Sequence, residues 1–310
     1  MKLLVTGGAG FIGSNFVHYV LNNFKDIHVT VLDALTYCGN LENLKPLFDN
    51  KNFKFIKGNI LDFELVKKLF KEVDAVVHFA AWTHVDRSID LADPFVDTDF
   101  KGTQTLLEAL KIHPVKKFIH ISTSEVYGTA QYAPMDEKHP IAPQSPYAAC
   151  KAGADRLAYA YYFTYELPIL IIRPFNTFGP RQYPEKLIPL FITNAYENKP
   201  LPVYGTGKNT RDWMYVKDCI RGIFRALEVD CIGEIINLGT GKDYSILDIA
   251  NHILERLDKP KDLIEFVGDR PGHVKRLIAS YNKAKEILNW QPDYEFYTAL
   301  DETIDWYISN

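Results

Sequence analysis

The first half of the chain alternates two kinds of segment. Runs at 2–6, 28–33, 53–57, 75–79, 117–122 and 169–173 read as strands, several of them apolar at nearly every position, as strands are when helices cover both faces of a parallel sheet. Between them, 12–23, 63–72, 98–111 and 147–165 carry apolar residues at helical spacing, with Gly, Asp and Asn at the junctions. Strand and helix in alternation predict an α/β fold, a Rossmann-type doubly wound parallel sheet. After Arg173 the prolines at 174, 180, 184, 189, 200 and 202 break the rhythm. Helices are expected at 187–197, 216–227, 246–257 and 283–288, in a smaller C-terminal lobe that shares a cleft with the first.

Charge narrows the partners. With 35 Lys and Arg against 39 Asp and Glu, the formal charge of -4 excludes a strongly basic nucleic-acid binder. No apolar run approaches the roughly 20 residues a membrane helix needs. Cys38, Cys150, Cys219 and Cys231 form no C-x-x-C pair, so neither a metal site nor a disulfide framework is expected. The apolar stretch at the N-terminus is too short for a secretion signal, and the expected location is the cytoplasm.

Gly7, Gly10 and Gly13 follow the first strand and, with Phe11 and Ile12, open the first helix. Glycines there permit a tight turn, close approach of backbone N–H groups to a pyrophosphate, and close packing of helix on strand. Asp33 ends the next strand, where a carboxylate accepts ribose hydroxyls and repels a 2'-phosphate, so NAD is expected rather than NADP. The spacing G-x-x-G-x-x-G is that of the extended short-chain dehydrogenase/reductases.

Tyr147 and Lys151 lie four apart, on one face of the fourth helix. An ammonium one turn away, with a positive nicotinamide nearby, would lower the phenol enough for it to act as a base. Thr123, Ser124 and Glu125 follow the fifth strand, at the sheet edge where ligands bind in open α/β folds. Thr123 offers a hydroxyl to a sugar or developing alkoxide, and Glu125 a carboxylate able to remove a proton beside a carbonyl.

An ordered series of motifs spans nearly the whole chain: TGGAGFIG at 6–13, TYCGNLENL at 36–44, HVDRS at 84–88, SPYAACKAGAD at 145–155, PEKLIPL at 184–190, RDW at 211–213 and DRPGH at 269–273. Together they resemble the NAD-dependent nucleotide-sugar dehydratases, most closely the dTDP-glucose 4,6-dehydratases. The resemblance implies oxidation at C4 of a nucleotide hexose with Tyr147 as base, removal of the C5 proton by Glu125, loss of the C6 hydroxyl as water, and return of the hydride to C6. It implies NAD held at Gly7, Gly10, Phe11, Ile12, Gly13, Asp33, Asn59, Ile60, Ala80, Tyr147 and Lys151. It places the nucleotide sugar at Thr83, Asn176, Lys186, Leu187, Arg211, Arg270 and His273. Residues 1–174 are then the NAD-binding domain with the catalytic residues, and 175–310 mainly the nucleotide-sugar lobe, with crossings of the chain allowed. A homodimer through the helices at 98–111 and 147–165 is also implied.

The chain departs from that pattern at Ser124, where the dehydratases carry the aspartate that protonates the leaving hydroxyl. It departs again at Trp82 (usually Glu), Thr83 (usually Ser) and Val274 (usually Asp), and at Asn59 and Asp99, where the family's Asp and Asn are exchanged. Trp82 and Ser124 could adjoin one sugar ring. Ser124 and Arg181 keep open a UDP-glucuronate decarboxylase or a 4-epimerase, the arginine then engaging a carboxylate. A non-catalytic NAD-binding protein is disfavoured by the presence of both Tyr147 and Lys151.

Overall fold

The computed structural model describes residues 1–309. Its first half runs β1 (Lys2–Thr6), α1 (Phe11–Asn23), β2 (His28–Asp33), β3 (Phe53–Lys57), α2 (Phe63–Phe70), β4 (Ala75–His78), α3 (Val85–Asp90), α4 (Asp93–Phe95), α5 (Thr103–Ile112), β5 (Lys117–Ile121), α6 (Pro146–Tyr165) and β6 (Ile169–Pro174). The second half runs β7 (Asn176–Phe178), α7 (Leu187–Tyr196), β8 (Leu201–Tyr204), β9 (Thr210–Tyr215), α8 (Val216–Glu228), β10 (Ile235–Leu238), β11 (Asp243–Ser245), α9 (Ile246–Arg256), β12 (Ile264–Val267), β13 (Arg276–Leu277), α10 (Asn282–Leu288) and α11 (Phe296–Ser309).

Seven strands pair in the order β10-β6-β5-β4-β1-β2-β3, each neighbouring pair parallel. Alternate side chains feed two different cores. Leu3 and Val5, Val29 and Val31, Val77, and Ile119 enter one core with Phe16 and Val17 of α1 and Ile223 of α8. Leu4, Leu32, Val76 and Phe118 enter the other with Val66, Leu106 and Ala158 of α2, α5 and α6. Burial on both faces explains why these strands read as continuous apolar runs. The strand order reverses between β1 and β4, and at such a point the carboxyl ends of the strands open a crevice.

β10 comes from the second half of the sequence and closes the outer edge of β6, so the chain crosses back into the first sheet. The smaller lobe is built on β9, parallel to β7 and β13 and antiparallel to β11, with a separate parallel pair, β8 and β12. The helix expected at 98–111 starts earlier and is wound as a π-helix over Val96–Gly102 before α5. That wide turn carries Asp99 inward, where it is 1% exposed. Among the described residues no helix is long and apolar enough to cross a membrane.

One buried network ties the sheet to α6. Arg173 of β6 donates through Nε and Nη2 to the two carboxylate oxygens of Asp155 on α6, both at 2.8 Å. Its Nη1 donates to the Tyr127 hydroxyl at 2.8 Å, and that hydroxyl donates to Asn237 Oδ1 of β10 at 2.7 Å. The guanidinium beside Asp155 holds that carboxyl well below its ordinary range, against the effect of burial.

Candidate active site

The glycine turn is dictated by close approach. Gly7 has φ +70°, and a Cβ on it would lie 2.5 Å from the Ala80 nitrogen; one on Gly13 would lie 2.3 Å from the Gly7 carbonyl oxygen. No side chain larger than hydrogen fits either place. Gly10 caps α1 in extended conformation and brings no side-chain hydrogen bond, which leaves the first-turn N–H groups of Phe11, Ile12 and Gly13 for an anion. Asp33 is buried at the end of β2; its Oδ2 accepts from Ala9 N at 2.9 Å and its Oδ1 from Leu35 N at 2.8 Å. Burial pushes its carboxyl up and these two donors oppose the rise. Asn59 Oδ1 accepts from Leu61 N at 2.9 Å, which shapes the turn that carries the buried Ile60. The narrow floor, the anion-ready helix start and the acid fit a dinucleotide.

Beyond β5, Thr123 caps a short 3₁₀ turn, Ser124–Tyr127, by accepting from Glu125 N. Ser124 is 2% exposed and Glu125 half-buried. α6 starts beside this turn because Ser145 accepts from Ala148 N and Pro146 takes the first helical position, where a missing N–H costs nothing. Tyr147 and Lys151 project from its buried face. The Lys151 ammonium donates to the Ile121 carbonyl at 2.7 Å. The sequence led to an expectation that Lys151 would lower the Tyr147 phenol. In the protein itself burial dominates and pushes the phenol up, Asp99 adds to the rise, and the Thr123 hydroxyl acts against it.

The far end of the cleft is cationic. Lys186 reaches the Thr83 carbonyl at 2.5 Å, and burial pulls its amine down to about 8. Arg211, 4% exposed, donates to the carbonyls of Thr210 at 2.9 Å and Val274 at 2.7 Å. Arg270 donates to Asp86 Oδ1 at 2.9 Å, and His273 Nδ1 lies 2.6 Å from Asp269 Oδ1. Two buried atoms here, Asn176 Oδ1 and Arg270 Nε, have no hydrogen-bond partner, as expected of groups whose partner is a ligand.

A single cleft of about 430 Å³ is lined by Gly7, Gly10, Phe11, Ile12, Gly13, Asp33, Asn59, Ile60, Ala80, Thr83, Thr123, Ser124, Glu125, Tyr147, Lys151, Asn176, Lys186, Leu187, Arg211, Arg270 and His273. Every residue that the sequence assigned to catalysis, to NAD or to the nucleotide sugar is therefore in one place. Trp82 and Arg181 are not among the lining residues. The Trp82 ring packs 4.5 Å from that of Tyr37 and 5.7 Å from that of Phe95. Arg181 donates to Asn15 Oδ1 at 3.1 Å and is turned toward α1.

Sequence reasoning did not find Tyr183, Glu185, Tyr204 and Trp213, which also line the cleft. Glu185 accepts from Arg87 Nε at 2.8 Å and joins the wall after β4 to the segment before α7. Glu185 and Trp213 lie within quoted motifs and Tyr183 beside one, whereas Tyr204 carried no signal in the sequence.

Residues 4–303 match the family model described as GDP-mannose 4,6 dehydratase. The low-salt glycan biosynthesis protein Agl12 of Haloferax volcanii is 48% identical over 100% of this chain and 99% of its own length. A dTDP-glucose 4,6-dehydratase of Streptomyces niveus is 46% identical over 100% of this chain and 94% of its own. Among solved structures, DesIV, the dTDP-glucose 4,6-dehydratase of Streptomyces venezuelae with NAD and TYD bound, superposes with a TM-score of 0.97. It is 42% identical, and the match covers 100% of this chain and 98% of that one.

Proposed function

Because the chain belongs to the GDP-mannose 4,6-dehydratase family, we propose that its cleft is that of an NAD-dependent nucleotide-sugar 4,6-dehydratase, a lyase whose substrate is dTDP-glucose. The observation that carries this reading is one cleft holding a dinucleotide turn, Tyr147 with Lys151, Glu125, and a cationic end with Lys186, Arg211 and Arg270. NAD, when bound, supplies the acceptor and later the donor of a hydride. Gly7, Gly10, Gly13 and Asp33 would hold it.

The residues divide the proton work. Tyr147 takes the proton of the C4 hydroxyl, with Thr123 beside the phenol oxygen. A ketone at C4 makes the C5 proton acidic, and Glu125 removes it. The C6 hydroxyl leaves as water with the proton that Glu125 took from C5; the hydride taken from C4 is returned to C6, and the proton taken from the C4 hydroxyl restores the one lost from C5. The guanidinium of Arg211 and the ammonium of Lys186 match diphosphate oxygens, while Asn176 supplies a side-chain amide to the same region. Incubation with dTDP-glucose, UDP-glucose, GDP-mannose and UDP-glucuronate, with product mass as readout, tests the assignment: loss of water from dTDP-glucose supports it. Loss of carbon dioxide, or conversion without a mass change, replaces it by the decarboxylase or the epimerase. Of the two features that favoured the decarboxylase, Arg181 is engaged with α1, and Ser124 remains.

Glu125→Gln is expected to stop the reaction after C4 oxidation. In a single turnover, reduced nicotinamide and a 4-keto sugar that still has its C6 oxygen should accumulate. A variant that stops before any reduced nicotinamide forms would show that Glu125 acts earlier.

Ser124 cannot itself supply a carboxylic proton, and general acid catalysis contributes about 10²- to 10⁴-fold. Ser124→Asp should therefore speed decay of reduced nicotinamide at least tenfold and leave its appearance unchanged. If Ser124→Asp leaves decay unchanged and Ser124→Ala slows it, the serine is a competent relay. If neither matters, elimination is not the chemistry.

The homodimer is proposed on exposed apolar side chains of and beside the two helical runs named above: Tyr159 and Phe163 of α6 at 38% and 75%, with Val96 and Ile112, which flank the run 98–111, at 38% and 52%. Patches of this kind mark interfaces. The cytoplasm is the proposed location, on the sequence reading alone.

A further inference from the structure

Asp86, in the HVDRS motif, lines the cleft at the end that also gathers Lys186, Arg211 and Arg270. On charge alone an acid is out of place there. The three cations match a diphosphate, and a carboxylate among them repels that ligand.

α3 presents two adjacent charges to two separate segments of the second lobe. Successive residues of a helix point about 100° apart, so Asp86 and Arg87 diverge. Arg87 Nε donates to Glu185, before α7, at 2.8 Å. Asp86 Oδ1 accepts from Nη1 of Arg270, in the loop between β12 and β13, at 2.9 Å. The Tyr204 hydroxyl at the end of β8 lies 3.4 Å from Asp86 Oδ2, and the centre of the Tyr204 ring is 5.8 Å from the central carbon of the guanidinium. The acid next to Arg270 in the chain is occupied elsewhere: Asp269 Oδ1 accepts from the Arg270 backbone N–H at 2.9 Å and lies 2.6 Å from His273 Nδ1. Asp86 is therefore the acid that takes the Arg270 side chain.

One edge of the guanidinium is left over. Nε of Arg270 is buried and has no hydrogen-bond partner among the described residues. The donors of arginine form a rigid planar fork, so holding Nη1 on Asp86 also fixes where Nε points. A buried cationic donor without an acceptor is costly, and the cost is recovered when a ligand supplies one.

We propose that Asp86 is a positioning residue of the nucleotide-sugar site: from across the cleft it holds the Arg270 guanidinium so that Nε is left for a diphosphate oxygen. The inference rests on the proposed function for the nature of the ligand. Alignment of the donor outweighs the repulsion between carboxylate and diphosphate, and the two effects have opposite signs.

Binding of dTDP to the NAD-loaded protein, followed by calorimetry, separates them. Asp86→Ala removes both charge and acceptor, whereas Asp86→Asn removes the charge and keeps an oxygen for Nη1. Asp86→Ala should weaken dTDP about tenfold, the order of one charge-assisted hydrogen bond, and Asp86→Asn should recover most of that loss. In an Arg270→Ala background, Asp86→Ala should weaken binding by less than about twofold, since its partner is gone. With dTDP-glucose, Asp86→Ala should raise KM in step with Kd and leave kcat within about twofold. Equal or tighter binding by Asp86→Ala marks a merely repulsive acid and overturns the proposal. So does a lower Tm with unchanged Kd, the sign of a clasp that only joins the lobes, and so does a loss that persists in full without Arg270. The substrate assignment fails separately. A wild type that takes UDP or GDP in preference to dTDP replaces it, and the same variants then decide the role of Asp86 on that nucleotide; a wild type that binds none of the three overturns both.

Discussion

Replacement of Tyr147 by Phe is expected to lower the rate of C4 oxidation about 10³-fold, within the span that a positioned general base supplies. The change removes one oxygen and keeps the ring, whose 6.1 Å edge contact with Phe95 survives. Folding should be unchanged, and with the dinucleotide at saturation the loss belongs to the chemical step. Wild type should show a rate that climbs with pH through the neutral range, because burial raises the phenol and the base form is scarce at low pH. The residual rate of the variant should lack that climb. The measurement is a pH series of single turnovers on dTDP-glucose followed by nicotinamide absorbance, beside a melting curve. Retention of more than a tenth of the wild-type rate would move the base to another residue.

Arg173→Met is expected to cost about 3 to 5 kcal/mol of stability, the typical consequence of removing one member of a buried ion pair. Asp155 is wholly buried, and its remaining partner, Arg156, is 40% exposed and gives weaker compensation. The pH dependence has a definite sign. A carboxyl held low in the fold contributes stability that is present above the ordinary Asp value and lost as pH falls toward the depressed one. The deficit of the variant should therefore shrink below about pH 4, where wild type begins to lose the same contribution. Urea unfolding at neutral and acid pH measures both. A deficit under 1 kcal/mol, or one that grows in acid, would contradict this account. Because Arg173 also holds Tyr127, at the end of the turn that begins with Ser124, the variant should lose activity at temperatures where it is still folded.

Much of this molecule is legible in its sequence, for reasons that differ by region. β1, β4 and β6 could be read because burial on both faces leaves runs such as LLV and ILII with hardly a polar position. The glycine turn could be read because only glycine fits at Gly7 and Gly13. β10 and the short strands of the smaller lobe were missed: IINL at 235–238 is four residues long, and nothing local reveals that it pairs with β6. α11 was missed although Phe296, Ala299, Leu300, Thr303 and Ile304 follow helical spacing. The elevated phenol of Tyr147 and the inward turn of Asp99 depend on what surrounds each side chain. Spacing along a helix says nothing of that.

The late return of β10 to the first sheet bears on synthesis. β6 ends at Pro174, and its outer neighbour begins only at Ile235. On the ribosome the nascent first half exposes an unpaired, apolar strand edge while the intervening lobe is still being made, and such edges recruit other chains. A fragment cut at residue 174 keeps that edge permanently. The seven-stranded sheet is therefore completed late in translation, and the second lobe serves the first as the cover of its last open edge.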